Sequence, residues 1–186
     1  MSAIGKKQES RIRNLEAGSA LLFVVVVLMA FLTMTAFLLD RASGLMIRNH
    51  LQAMADSGAN AGMVALSDLM VEKAEAREPN APDDTDPRSV LTDEDRQAML
   101  VEGEPRVKQA VTDYVEKNRV LYNITLDSVD IQYPMQQQID CGSSDKQTAN
   151  LRVTVKYTHP ILFEKILDGK NTLLTAASWQ TMNLCR

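Results

Sequence analysis

The residues of this sequence best suited to chemistry are two cysteines, Cys141 and Cys185, and two histidines, His50 and His159. The histidines fall in different segments, without the spacing of metal ligands or a base and its partner, and both read as surface or turn residues. No Gly-x-Ser-x-Gly elbow, Walker loop or Cys-x-x-Cys pair occurs. Asp83, Asp84 and Asp86 suggest a calcium loop, but one opened at Asp84 puts Ser89 where a glycine and Asp95 where a glutamate are required. The sequon Asn123-Ile124-Thr125 is too short to weigh. The expectation is therefore a protein that is not an enzyme, with no catalytic, cofactor-binding or metal site and no small-molecule substrate. The chemistry left is thiol oxidation. In an oxidising compartment Cys141 and Cys185 close a bridge worth about 4 kcal/mol in the chain-entropy model; two free buried thiols are the alternative.

The compartment follows from the element that places these cysteines. Every residue from Ala17 to Leu39 is uncharged, and residues 20–39 are apolar except for Thr33 and Thr35, whose hydroxyls can bond back to helix carbonyls. Twenty helical residues rise roughly 30 Å, the thickness of a bilayer's hydrocarbon layer. A buried helix of a soluble core is the alternative, but no other run is apolar enough to enclose it. The leader, residues 1–19, carries Lys6, Lys7, Arg11 and Arg13 against Glu9 and Glu16, so it is expected to stay in the cytoplasm while residues 40–186 lie outside. A cleaved secretory signal competes with an uncleaved anchor, but its apolar region usually has about 7–15 residues, fewer than here. Both cysteines then fall on the exported side.

The 186 residues allow one domain plus appendages on a prior of about 100–200 residues per domain. The 24 acidic against 20 basic residues lack the basic footprint of a nucleic-acid binder. No proline interrupts the chain before Pro79, so the anchor is expected to continue as an exported amphipathic helix over residues 40–77. There Leu51, Met54, Ala55, Gly58, Gly62, Ala65, Leu66 and Leu69 form a stripe at helical spacing. Two mid-helix glycines each cost about 1 kcal/mol against alanine, so Leu51, Met54, Ala55, Gly58 and Gly62 are read as a helix-packing interface, against the chain's own sheet or between subunits.

Residues 78–120 read as an acidic loop and short helices: a solvated loop over Glu78–Arg88, a helix start capped by Thr92, and a second short helix from Pro105 to Asn118. Residues 121–186 read as an antiparallel β-sheet. Leu151, Val153, Val155 and Tyr157 alternate with polar residues as a half-buried strand. Ile124, Leu126, Val129, Ile131 and Tyr133 mark an earlier strand with a bend near Asp127, and Thr172–Met182 a later one. Between the last two strands, Pro160–Leu167 is read as a possible helical turn before an Asp168-Gly169 bend. The fold class is α+β, with the outer half of the long helix against a small sheet.

Gly18-Ser19-Ala20-Leu21-Leu22-Phe23 opening the apolar run, Asp40 at its exit, and the segment Leu51–Ala61 eleven residues later resemble the TadE/TadG-like proteins of the tight-adherence (Flp) pilus, a minor pilin or pseudopilin family. The late stretch from Val153 to Trp179, a strand, Pro160, a turn and another strand, is similar to the end of TadE-like proteins. The resemblance covers about residues 16–70 and 150–182 and leaves the acidic middle unmatched. It implies a pilin-like fold. Members processed by prepilin peptidase resemble Gly, four apolar residues and Glu. Here Phe23 stands five residues after Gly18, so Gly18 and Phe23 look like a processing-site remnant and the chain looks like the unprocessed, TadG-like branch. Many TadG-like proteins carry a metal-binding von Willebrand type A domain with Asp-x-Ser-x-Ser. Asp140-Cys141-Gly142-Ser143-Ser144 has a glycine at the first serine's place.

The function expected from this resemblance is a structural or assembly subunit of a Tad-type pilus or related secretion system in the bacterial inner membrane. Its expected partners are the membrane and other pilins or pilus-assembly proteins, and no nucleic acid. The alternative from another class is a single-pass anchored sensor whose exported domain binds a ligand in a pocket of convergent polar groups.

Overall fold

A computed structural model describes residues 3–80, 82, 85–136, 138–143, 147–160 and 171–185, with side chains from Ser19 onward. The elements are helix α1 (Ala3–Arg77), helical turn α2 (Pro87–Val90), helix α3 (Asp93–Tyr122) and strands β1 (Ser128–Gln132), β2 (Thr148–Pro160) and β3 (Asn171–Asn183). The layout is α+β. The chain divides into two units, one holding α1 as far as Gly44, the other Leu45–Pro160 with Asn171–Arg186.

In the first unit, the large apolar side chains from Leu21 to Leu39 are all exposed, and α1 is long and apolar enough to cross a membrane. The two hydroxyls in this run are satisfied locally. Thr33 Oγ1 donates to the Met29 and Ala30 carbonyls at 3.0 and 2.9 Å, and Thr35 Oγ1 to the Phe31 carbonyl at 2.8 Å. Such back-bonding lets threonine sit in hydrocarbon without an unmet donor. At the polar end, the Arg41 guanidinium lies 5.2 Å from the centre of the Phe37 ring.

The second unit packs the outer part of α1, α3 and one face of a three-stranded antiparallel sheet of order β1-β2-β3. Val153 pairs with Ile131 on one side and Ser178 on the other, and Val155 with Val129 and Ala176. This register puts Leu151, Val153 and Val155, all fully buried, on the inner face with Ala176 and Ser178. From the helices Leu51, Met54, Leu66, Leu69, Met99, Leu100, Val107 and Val111 complete the core.

The expected cap at Thr92 is present. Thr92 Oγ1 accepts from the Asp95 N–H, and an Asp95 carboxylate oxygen accepts from the Thr92 N–H, the reciprocal pair of a capping box. The expected break at Pro105 is not. One helix runs through it to Tyr122, because the buried positions Leu100, Gly103, Val107, Val111 and Val115 keep helical spacing across the proline. Pro105 and Val101 are both exposed, and the proline has no N–H to offer the Val101 carbonyl. The helix ends at Asn123, in the left-handed conformation (φ 52°) that asparagine tolerates; its N–H and that of Ile124 close the last turn on the Val120 and Arg119 carbonyls.

The sheet departs from expectation at its start. The bend at Asp127 is there, but only Ser128–Gln132 pair as strand, so Ile124 and Leu126 pack from a connecting segment. The loop over residues 78–88 also ends in α2, where Asp86 caps the turn by accepting from the Arg88 N–H at 3.0 Å. The histidines are not surface or turn residues either. His159 is buried in β2, because its odd number in the alternation puts it on the inner face with Val155 and Tyr157. His50 is half-buried, its ring stacked on Tyr122 with centroids 4.2 Å apart. The turn read over Pro160–Leu167 and the Asp168-Gly169 bend lie beyond Pro160, outside the described residues.

Candidate functional site

The helix seam of the second unit is built on the stripe Leu51, Met54, Ala55, Gly58 and Gly62, and all five are buried. A Cβ added at Gly58 would lie 2.9 Å from Val115 Cγ2 and 3.3 Å from Val111 Cγ1, both on α3. One added at Gly62 would lie 2.6 Å from Leu151 Cδ2 on β2, 2.9 Å from Val111 Cγ2 and 3.2 Å from Val107 Cγ1. The missing side chains therefore admit α3 and the sheet to the α1 backbone. Of the two partners left open for this stripe, the chain's own sheet and another subunit, the structure shows the first, joined by α3. The glycines are covered within the chain, Gly62 by the sheet and by α3, Gly58 by α3.

Gly103, which sequence reasoning passed over, makes the reciprocal approach from α3. A Cβ there would meet Leu66 Cδ1 at 3.1 Å and Tyr133 Oη at 3.2 Å. The signal was available: a glycine within a helical run costs enough to demand a packing reason. Tyr133 Oη donates to the Met99 carbonyl at 3.3 Å, and burial, helped by the negative charge of Glu104, pushes its pKa up.

Ion pairs tie the rims of α1 and α3. Arg77 Nε meets Asp95 Oδ2 at 3.0 Å, Lys73 Nζ meets Glu102 Oε2 at 2.9 Å, and Arg106 Nη1 meets Glu72 Oε2 at 2.6 Å. Exposed pairs of this kind contribute about 0–1 kcal/mol each, so their effect is on register more than on stability. The hydrogen bond from Arg106 lowers the Glu72 pKa. The Thr92 hydroxyl first, and Arg77 second, hold Asp95 down at about 2. Part of the acidic middle thus has partners on α1, which composition alone did not show.

Cys141 and Cys185 form a disulfide, with Cα atoms 5.5 Å apart, between the segment after β1 and the segment after β3. Arg96 fixes the same corner. Its Nε donates to the Leu184 carbonyl at 3.1 Å, its Nη2 to the Arg88 carbonyl at 3.0 Å, and its Nη1 pairs with Asp93 at 2.7 Å.

Of the processing-site remnant, Phe23 is exposed on α1; Gly18 lies in the same helix, its surroundings outside the described residues. Among the described residues no group of His, Cys, Asp and Glu is arranged to hold a metal. Asp83 and Asp84 of the calcium-loop reading, and Ser144 of the metal-motif comparison, lie outside them. Two concave regions line the second unit. One of about 320 Å³ lies between α3 and β1, walled by Val115, Glu116, Arg119, Leu126 and Val129. The other, of about 690 Å³, lies beside the end of α1, walled by Val71, Ala74, Glu75, Glu78, Pro87 and Val90. Compared with known proteins, the chain matches no family model, no curated protein and no solved structure.

Proposed function

We propose that this chain is a structural or assembly subunit, minor pilin- or pseudopilin-like, of a Tad-type pilus or a related secretion system. Residues 20–39 hold it in the inner membrane, with the leader in the cytoplasm and the folded unit outside. The observation that carries the reading is one helix with two roles: α1 bears a twenty-residue apolar run with its side chains exposed and, further along, the buried stripe that organises the folded unit. An exposed surface of Leu, Val and Phe is unfavourable in water and at home in hydrocarbon or against other apolar helices. The disulfide suits an exported domain.

The seam at Gly58 and Gly62 is occupied, so lateral contact with other subunits falls to the span itself. Phe23 in place of a glutamate removes the carboxylate that would meet a partner's new N-terminal amine, which favours a subunit that keeps its leader. Photo-crosslinking from position 31 in intact cells, read by mass spectrometry, tests the reading. Adducts with a pilin or a pilus-assembly membrane protein are expected; adducts with lipid alone or with unrelated proteins would overturn it. N-terminal peptide mapping tests the leader separately, and a chain beginning at Ser19 would return the protein to the processed class.

A further inference from the structure

We propose that the groove between α3 and the open edge of β1 receives an extended segment of a partner protein as a fourth strand, a segment that alternates apolar and basic residues. The contact lies wholly within the second unit and stands whether or not residues 20–39 cross a membrane. The main-chain groups of the edge come first. The Asp127 N–H donates to the Lys156 carbonyl at 3.0 Å and the Met135 N–H to the Asn150 carbonyl at 3.3 Å, so both carbonyls face β1. In an antiparallel ladder the N–H and C=O of alternate residues turn the same way, so Thr154 and Arg152 also face β1, opposite Asp130 and Gln132. The N–H and C=O of Val129 and Ile131 turn the other way, toward a side on which the described residues place no strand. Such an unpaired row is a template for a further strand.

The cavity of about 320 Å³ lies along this same edge. Its α3 wall, Thr112, Glu116 and Arg119, is on the side of that helix turned away from Val107 and Val111, which meet α1. Its floor is Val115, Leu126 and Val129. Val155, the register partner of Val129 on the inner face, is fully buried, whereas Val129 is 38% exposed, because no described residue covers it from the edge. A strand laid along β1, about 4.8 Å beyond it, puts every second side chain on that inner face, between the sheet and α3. Valine or leucine suits those walls.

The outer face selects the charge of the alternate residues. Ser128, Asp130 and Gln132 share it, and Asp130 accepts from a neutral donor, Gln132 Nε2, at 2.9 Å. The cations of this face stand one strand further in: Lys156 opposite Ser128, and Arg152 opposite Gln132 with its guanidinium 4.8 Å from the centre of the Trp179 ring. Across the groove, Glu116 is already engaged by Arg119. A lysine or arginine of the added strand beside Asp130 therefore makes a favourable cross-strand pair. A second copy fits badly. Antiparallel pairing of two β1 edges that bonds Val129 of each to Ile131 of the other sets Asp130 directly against Asp130, a like-charge pair.

The test uses the full chain, disulfide intact, in a non-ionic detergent. It is titrated into a short fluorescein-labelled peptide that alternates leucine and lysine and is blocked at both ends. A rise in anisotropy in the micromolar range is expected, with slowed amide exchange at Val129 and Ile131. Thr112→Trp fills the groove from an exposed position on α3, and Asp130→Lys reverses the charge at an exposed position on β1. Each is expected to weaken binding about tenfold or more with the circular dichroism unchanged, as is methylation of alternate peptide nitrogens. Absence of binding into the hundred-micromolar range would overturn the proposal. So would binding that Thr112→Trp and peptide methylation leave unchanged, since the peptide would then sit elsewhere, or equal binding of a peptide with glutamate for lysine. Slow exchange at Val129 and Ile131 without peptide, faster on dilution, would overturn it in favour of a second copy.

Discussion

Gly62 and Leu151 approach so closely that a Cβ on the glycine would lie 2.6 Å from the leucine Cδ2, closer than a Cβ at Gly58 or Gly103 would come to any neighbour. Replacing Gly62 with alanine returns about 1 kcal/mol of helix propensity but overpacks a site closed on three sides, which typically costs about 1–3 kcal/mol. Gly62→Ala is therefore expected to destabilise the folded unit by about 1 kcal/mol. Gly58→Ala, with only one contact under 3.0 Å, should cost less. Thermal unfolding of the detergent-solubilised chain, followed through Trp179, checks the order; a stabilised Gly62→Ala would mean the seam is looser than described.

The Cys141–Cys185 bridge closes a loop of 44 residues. In the chain-entropy model that is worth about 4 kcal/mol, so reduction or Cys185→Ser should lower the denaturant midpoint markedly. Intact mass should rise by two hydrogen atoms on reduction, and two alkylatable thiols in the unreduced protein would contradict the bridge.

Acid should weaken the start of α3 in a defined window. The folded-state pKa of Asp95 is about 2, below its ordinary 3.8, so its stabilisation is complete above about pH 4 and is lost as pH falls toward 2. Asp95→Asn should be less stable than the parent at neutral pH, with the gap closing below pH 4. Thr92→Ala removes the same cap at a cost of about 1 kcal/mol. A gap that is constant from pH 7 to pH 2 would deny the carboxylate its role.

Pro105→Ala should stabilise the protein. Position 105 is exposed and already helical, so alanine restores the N–H that the Val101 carbonyl lacks. The gain has an upper bound of about 3 kcal/mol, the difference between the two residues in a helix interior. Helical circular dichroism and the melting temperature are expected to rise together; a fall in either would show that the proline sets a bend the packing requires.

What the sequence disclosed was whatever depends on local periodicity. The apolar run before Asp40, the stripe from Leu51, the Thr92 cap and the alternation Leu151-Val153-Val155 are each legible within a few residues of themselves. Features set by distant partners were not. Pro105 looks like a helix start until Val107 and Val111 are seen against Gly62. Gly58 and Gly62 fit a neighbouring subunit as well as they fit α3 and Leu151. His159 looks polar and terminal, yet the register of β2 carries it to the inner face. The short helices read after the solvated loop of Glu78–Arg88 gave no sign of docking on α1, because nothing in sequence pairs Lys73 with Glu102, Arg77 with Asp95 or Arg106 with Glu72.

The anchor and its direction support every other part of the functional reading, and one dual reporter measures both. A fusion of an export-dependent phosphatase and a cytoplasm-dependent β-galactosidase fragment after Arg186, expressed with the whole chain in a bacterial host, reports the side on which the folded unit lies. The account predicts phosphatase activity in the membrane fraction, lost when Lys6, Lys7, Arg11 and Arg13 are moved to follow Leu39. β-galactosidase activity, or phosphatase released into the soluble fraction, would contradict it.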